Sequence, residues 1–223
     1  MYTMNDLTGW IQKGKYELLE NAITENPLLA NQTTDQGISL IQLAAYYRNT
    51  PAIELLRKYK SELDIFEAAI LGEVELVKSE LRKNCDLLNS FSIDGFTLLG
   101  FACFFGHYEL SNFLLKAGAN PNVASANPFR VAPLHSACAI SNFEIASLLI
   151  QSGANVNAKQ AQGITSLHAA AFSGHAQLAK LLIDNGANVN AKADSEQTPL
   201  AIAIEKNHPD IASLLKQFGG KIY

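Results

Sequence analysis

The sequence predicts an all-α solenoid of about seven helix-turn-helix units with short β-hairpin fingers, and three recurrences predict it. LLKAGANPN (114–122), LLIQSGANVN (148–157) and LLIDNGANVN (181–190) are versions of one segment, and APLHSA (132–137), TSLHAA (165–170) and TPLAIA (198–203) of another. A small-residue pair recurs at Ala44–Ala45, Ala68–Ala69, Ala102–Cys103, Ala137–Cys138, Ala170–Ala171 and, less perfectly, Ala203–Ile204. The second members of these pairs are spaced 24, 34, 35, 33 and 33 residues apart. Such a period marks a stacked array, in which one unit cannot bury its apolar face alone.

Residues 163 to 190 show how one unit is built. Gly163 sits at a hairpin tip, where positive φ is expected. Thr165 is a natural N-cap for a short inner helix that reaches Ser173 and ends at Gly174. An outer helix then carries Leu178, Leu181, Leu182 and Ile183 at helical spacing and stops before Gly186. Helices this short are marginal alone, so stability must come from stacking, and the small pairs let inner helices approach closely.

In chain order the expected units are 1–34, a degenerate N-terminal cap placed by Gly14, which stands 34 residues before its equivalent Arg48; 35–60; 61–91; 92–124; 125–158; 159–191; and 192–223, a C-terminal cap. Two irregularities stand out. The spacing of 24 means that LLRKYKSELDIFEAAILG runs from an outer helix almost directly into the next inner helix, with no finger, and a step in the row of fingers is expected there. The SANPFRVAP segment is two residues longer than its counterparts. Pro128 and Pro133 restrict its path, and Arg130 takes the place of the usual tip glycine.

These motifs resemble the ankyrin-repeat family, whose unit is about 33 residues with a T-P-L-H-x-A signature. The likeness covers nearly the whole chain and is strongest from Asp94 to Asn207, with Ser166 standing where the family usually has proline. DGFTLLGFACFFGH and NPFRVAPLHSA look like segments of stand-alone bacterial ankyrin-repeat proteins. The resemblance implies that His135 and His168 are structural, each hydrogen-bonding hairpin backbone. It also implies that a protein or peptide partner docks on a concave face formed by the fingers and inner helices.

Carried along the repeat register, that face comprises the two residues before the position that ends each inner helix, and the residue after each fingertip. The expected partner-binding residues are Tyr46, Tyr47, Leu71, Phe96, Phe104, Phe105, Phe129, Arg130, Val131, Ile140, Ile164 and Phe172. Its ends are polar, Gln12–Lys13 and Glu205–Lys206, as capping demands, whereas an apolar middle points to an interaction surface. Phe105 is expected to face outward. Phe104 and Ile70 are open between secondary core and surface. Arg130 either fixes a partner's carboxylate or carbonyl, or braces the irregular finger by a local hydrogen bond.

The rest of the chemistry reads as absence. Net charge is −4, and no basic run exceeds two residues (Arg57–Lys58, Arg82–Lys83), so a nucleic-acid footprint is not expected. No stretch approaches the ~20 apolar residues of a membrane span, and MYTMNDLTGW does not read as a secretory signal. Cys85, Cys103 and Cys138 do not form a disulfide framework, which points to a reducing cytoplasm, and Cys103 and Cys138 read as core fillers. His107, His175 and His208 share a second register at the outer-helix starts, ~8–10 Å apart by helix packing, too far for one zinc ion to bridge. No nucleophile elbow, phosphate loop, dinucleotide motif or zinc-protease motif is present. The expectation is a non-catalytic binding module without cofactor or metal, a monomer or weak homodimer. Its alternatives are a structural protein that self-associates through the same face, and a small-molecule binder or enzyme.

Overall fold

Every α-helix among the described residues has seven to ten residues, so none is long enough to be stable by itself. The computed structural model describes residues 2–222; among them are fourteen α-helices and no strand. They divide into two compact units, one ending at Leu71 and one beginning at Gly72.

The first unit contains α1 (Met4–Gln12), α2 (Tyr16–Glu25), α3 (Leu40–Tyr46), α4 (Thr50–Tyr59) and α5 (Ile65–Leu71). Helix α3 packs between α1 and α5, and α2 lies on α4. Their shared core is Leu7, Ile11, Leu19, Ile23, Leu40, Ile41 and Leu56. A reciprocal cap starts α1: Asp6 N–H donates to Thr3 Oγ1 at 3.2 Å, and Thr3 N–H to Asp6 Oδ2 at 2.8 Å. One finger, residues 34–38, closes through Thr34 N–H to Ile38 C=O at 2.8 Å, with Gly37 at φ 79°. The fingers were expected as short β-hairpins; they are too short for a ladder, and here only an isolated Thr33–Ser39 bridge forms.

Between α4 and α5 lie only residues 60–64, so the missing finger is indeed missing. A different device starts α5. Asp64 Oδ1 accepts Phe66 and Glu67 N–H, both at 2.8 Å, while Glu67 Oε2 accepts Asp64 N–H at 3.0 Å. Glu67, almost fully buried, pairs its other oxygen with Lys60 Nζ at 2.8 Å. A buried carboxylate without that cation would carry a cost of several kcal/mol. Burial also raises the Asp64 pKa, ahead of the opposing backbone donors.

The second unit is two-layered. Its inner layer is α7 (Leu98–Phe105), α9 (Pro133–Ala139), α11 (Ser166–Ser173) and α13 (Pro199–Glu205), each packed on the next. The outer layer is α6 (Val74–Lys83), α8 (Tyr108–Lys116), α10 (Phe143–Gln151), α12 (Ala176–Asp184) and α14 (Pro209–Gln217). Ala102, Cys103, Ala137, Cys138, Ala170, Ala171 and Ala203 are all fully buried, which is what lets the inner helices pack so closely. Ordinary caps fix the helix starts: Thr97 Oγ1 accepts Gly100 N–H at 3.0 Å and Thr198 Oγ1 accepts Ala201 N–H at 3.3 Å.

Fingers 92–96, 125–131, 160–164 and 193–197 each close by one backbone bond and then bond sideways to the next. Ala126 N–H reaches Gly95 C=O at 2.8 Å, Ala161 N–H reaches Phe129 C=O at 2.9 Å, and Asp194 N–H reaches Gln162 C=O at 2.9 Å. This close approach explains Gly163: at φ 69°, a Cβ there would lie 2.6 Å from Asp194 Oδ1 and 3.0 Å from its backbone N. The longer finger is organised by Asn127, which accepts Ser125 Oγ–H and Phe129 N–H and donates to Asp94 C=O at 2.9 Å.

The GANxN segments tie repeat to repeat. Asn157 Nδ2 donates to Gly186 C=O at 2.9 Å, and its Oδ1 accepts Asn188 N–H at 2.7 Å. Asn122 does the same with Gly153 and Asn155, and Asn190 with Gly219 and Lys221. The first asparagine of each segment turns the chain, as Asn155 Oδ1 does by accepting Asn157 N–H at 2.9 Å. Replacing Asn157 by alanine removes two inter-repeat bonds from an exposed side chain. The expected loss is about 1–2 kcal/mol in urea unfolding, with Asn157→Asp, which keeps only the acceptor, falling between.

Candidate functional site

The finger side of the second unit is where the expected site residues must be judged. One bond orients it: Gln197 Nε2 donates to Glu205 Oε2 at 2.9 Å, so the residue after a fingertip and the residue eight positions on share a side. The same register pairs Ile164 with Phe172, Val131 with Ala139, and Phe96 with Phe104. Phe129 and Phe172 stand out from it, 67 % and 59 % exposed. Lys206 Nζ lies 4.9 Å from the centre of the Phe172 ring, a cation–π contact that leaves much of the ring in water.

The paired phenylalanines correct one expectation. Phe105, expected to face outward, is half-buried, and so is Phe104. Phe105 lies one helical turn beyond buried Phe101, at i+4, so the helix carries its ring back over the core. Its ring centre is 6.4 Å from Phe101, 5.1 Å edge-on from Phe104 and 6.4 Å from His107. Phe96 closes the other end of this cluster, 5.3 Å from Phe101, over the space left by Gly100. Ile140 is also half-buried, its Cδ1 against Gly106, and Val131 and Ile164 are intermediate.

In the first unit, Tyr47 is exposed, Tyr46 is half-buried with its hydroxyl accepting Gln42 Nε2 at 3.2 Å, and Leu71 is half-buried. Ile70 is core. Arg130 is exposed and adopts φ 51°. Its guanidinium makes no hydrogen bond or ion pair with any described residue. The finger is braced by Ser125 and Asn127 instead, so the local-bond reading of Arg130 is overturned.

The signature histidines are anchored at both nitrogens. His168 Nδ1 accepts Thr165 N–H at 3.1 Å, leaving Nε2–H to donate to Gln197 C=O at 3.2 Å. His135 repeats the pattern with Ala132 N–H at 3.3 Å and Ala158 C=O at 3.0 Å. The second histidine register is built into helix junctions. His208 packs under Gly174 and its Nε2 lies 3.1 Å from Phe172 C=O, and His175 Nδ1 accepts Leu178 N–H at 3.1 Å. No cluster of three or more His, Cys, Asp or Glu able to hold a metal occurs among the described residues. Burial pushes the Cys103 and Cys138 thiols up to about 12, where they are inert as nucleophiles; Cys85 is exposed.

Sequence reasoning missed the outer layer. A hollow of about 840 Å³ lies across α10, α12 and α14, lined by Phe143, Leu181, Leu214, Lys180, Asp184 and Asp210. It is a broad, open depression whose Lys180 and Asp184 pair with each other, and it holds no arrangement of nucleophile and base. Phe143 and Tyr108 are exposed at the starts of α10 and α8, a signal readable as aromatics opening outer helices.

A sequence profile described as ankyrin repeats (3 copies) matches residues 65–160 and 134–222. The chain is also similar to the human DNA-binding protein RFXANK, 41 % identical over 61 residues, which is 27 % of this chain and 24 % of that protein. The chain thus aligns with about a quarter of that relative's length. No helix among the described residues is long and apolar enough to cross a membrane.

Burial lowers the pKa of His135 and of His168 below the usual imidazole value. The unfolded chain then binds more protons than the native one between ~pH 6.5 and the depressed native value. Their contribution to stability is therefore present above ~pH 6.5 and is lost as pH falls through the native pKa. Urea midpoints measured downward from about pH 7.5 should drop, and a His135→Ala/His168→Ala variant should be less stable at neutral pH with a flatter pH dependence.

Proposed function

The chain belongs to the ankyrin-repeat family, and from that premise we propose that it is a non-catalytic module that binds a protein or peptide segment on the finger side of its second unit. Ankyrin repeats generally bind proteins. The observation that carries the reading here is the exposure of Phe129 and Phe172 on that side, where the last repeat has Gln197, Glu205 and Lys206. Exposed aromatics flanked by half-buried Val131, Ile164 and Phe104 form the kind of anchor around which interfaces concentrate their energy. Docking would be driven by burial of apolar area at ~25 cal/mol per Å², before ordering costs. Tyr46, Tyr47 and Leu71 of the first unit remain proposed contacts in the same sense.

Catalysis is not part of the proposal, since the thiols are buried or isolated and the signature imidazoles are committed to backbone. A reducing compartment such as the cytoplasm suits the three free cysteines. DNA binding belongs to the human relative's name. With net charge −4 and no long basic run, this chain offers little to a phosphate backbone.

Partners recovered with the wild-type chain should be lost, by more than roughly tenfold in affinity, with Phe129→Ser/Phe172→Asp, while the melting temperature stays near wild type. An outer-layer variant, Tyr108→Ser/Phe143→Ser, should retain them. The reverse pattern would place the interface on the outer layer and defeat the proposal. Light scattering that shows a concentration-dependent dimer, dispersed by the Phe172 variant, would assign the face to self-association instead.

A further inference from the structure

Positive φ recurs at the fingertips of the second unit: Gly95, Arg130, Gln162, Gly163 and Glu196. Glycine adopts it freely, whereas a side chain there is strained. Arg130, Gln162 and Glu196 are thus the departures from the local rule, and two of them carry a charge. Glu196 has a compensating partner, Lys192 Nζ at 2.6 Å. The Arg130 side chain has none among the described residues, and the bonds that hold its finger form without that side chain. Ser125 N–H bonds Val131 C=O, Val131 N–H bonds Ser125 Oγ, and Asn127 holds both Phe129 N–H and Asp94 C=O. Phe129 C=O is fixed by Ala161 N–H, so the fingertip is held on both sides while its two side chains project into solvent.

A strained residue whose side chain does nothing for the fold points to a function outside it. We propose that Phe129 and Arg130 form a two-part reader within the binding surface: the guanidinium takes a carboxylate of the partner segment, and Phe129 takes an apolar side chain close to it. The partner is thus a peptide segment combining an Asp or Glu with an aromatic or large aliphatic residue. Charge complementarity favours it, because an unpaired guanidinium presents a planar donor fork matched to a carboxylate, and an adjacent ring strengthens the bond by thinning the water around it. This inference rests on the binding reading given above.

The test is selection from a random-peptide phage-display library on the full chain, run in parallel on Arg130→Gly and Phe172→Asp. The wild type should enrich peptides with a carboxylate near an aromatic or large aliphatic residue. Synthetic versions should bind roughly tenfold or more weakly to Arg130→Gly, and the residual binding should lose most of its dependence on sodium chloride. Arg130→Gly suits φ 51°, so its melting temperature should equal or exceed that of the wild type, which separates lost recognition from lost folding. Peptides bound equally by Arg130→Gly, or unaffected when the carboxylate becomes an amide, overturn the anion-reading role. The surface itself then still stands if Phe172→Asp abolishes binding. Peptides indifferent to both variants, or no enrichment at all, overturn both.

Discussion

One side chain, Asn157, shows the constraint on which the rest depends. Its amide gives a hydrogen bond to Gly186 C=O and takes one from Asn188 N–H, both in the following repeat. A helix of seven to ten residues leaves much of its backbone polarity at its ends without intrahelical partners. In this fold local caps satisfy the helix starts, while the backbone of the connecting turns and fingers is satisfied by the neighbour: asparagine bridges at the outer turns, His135 and His168 Nε2 to the next repeat, and finger-to-finger bonds at the tips. The buried alanines and cysteines bring the helices close enough for these bonds to form. Polar satisfaction and apolar packing are thus met by the same act of stacking, and neither is available to a single helix pair.

Much of this was legible because it repeats. The Leu-Leu-x-x-x-Gly-Ala-Asn segments, the small pairs and the T-P-L-H-like starts each recur at fixed offsets, and helix ends at Gly106 and Gly174 fall where glycine stands. The absent finger before α5 could be read from spacing alone. What spacing did not show was its replacement, because the link joining Lys60, Asp64 and Glu67 is a single event with no second copy to reveal it. Phe105 was misplaced for a related reason. Repeat register put it in a column with Tyr47 and Ser173, but its burial is decided by Phe101 one turn earlier, a residue that has Ser136 and Ala169 as counterparts.

The proposed binding side follows from the same logic by subtraction. Positions that stacking uses are buried and committed, whereas Phe129, Arg130 and Phe172 of the second unit are left exposed. The two-residue insertion matters because it moves an aromatic and a cation to a fingertip while Asn127 holds the loop by backbone bonds. A conformation that would suit glycine is thereby occupied by arginine, with its charge free for another molecule. The outer layer has its own exposed aromatics, Tyr108 and Phe143, over a wide depression, but many of its charges are paired with each other or sit as acids in first turns and bases in last turns, where the helix dipole accounts for them.

The central claim is that each repeat is completed by the polar groups of its neighbour, and amide hydrogen exchange on the native chain tests it most directly. The amides of Asn155, Asn188 and Lys221 sit in turns yet donate to asparagine side chains of the preceding repeat. They should exchange as slowly, to within about an order of magnitude, as the amides in the middle of α10, α12 and α14. Exchange at the rate of free, solvated turns while those helices remain protected would contradict the account.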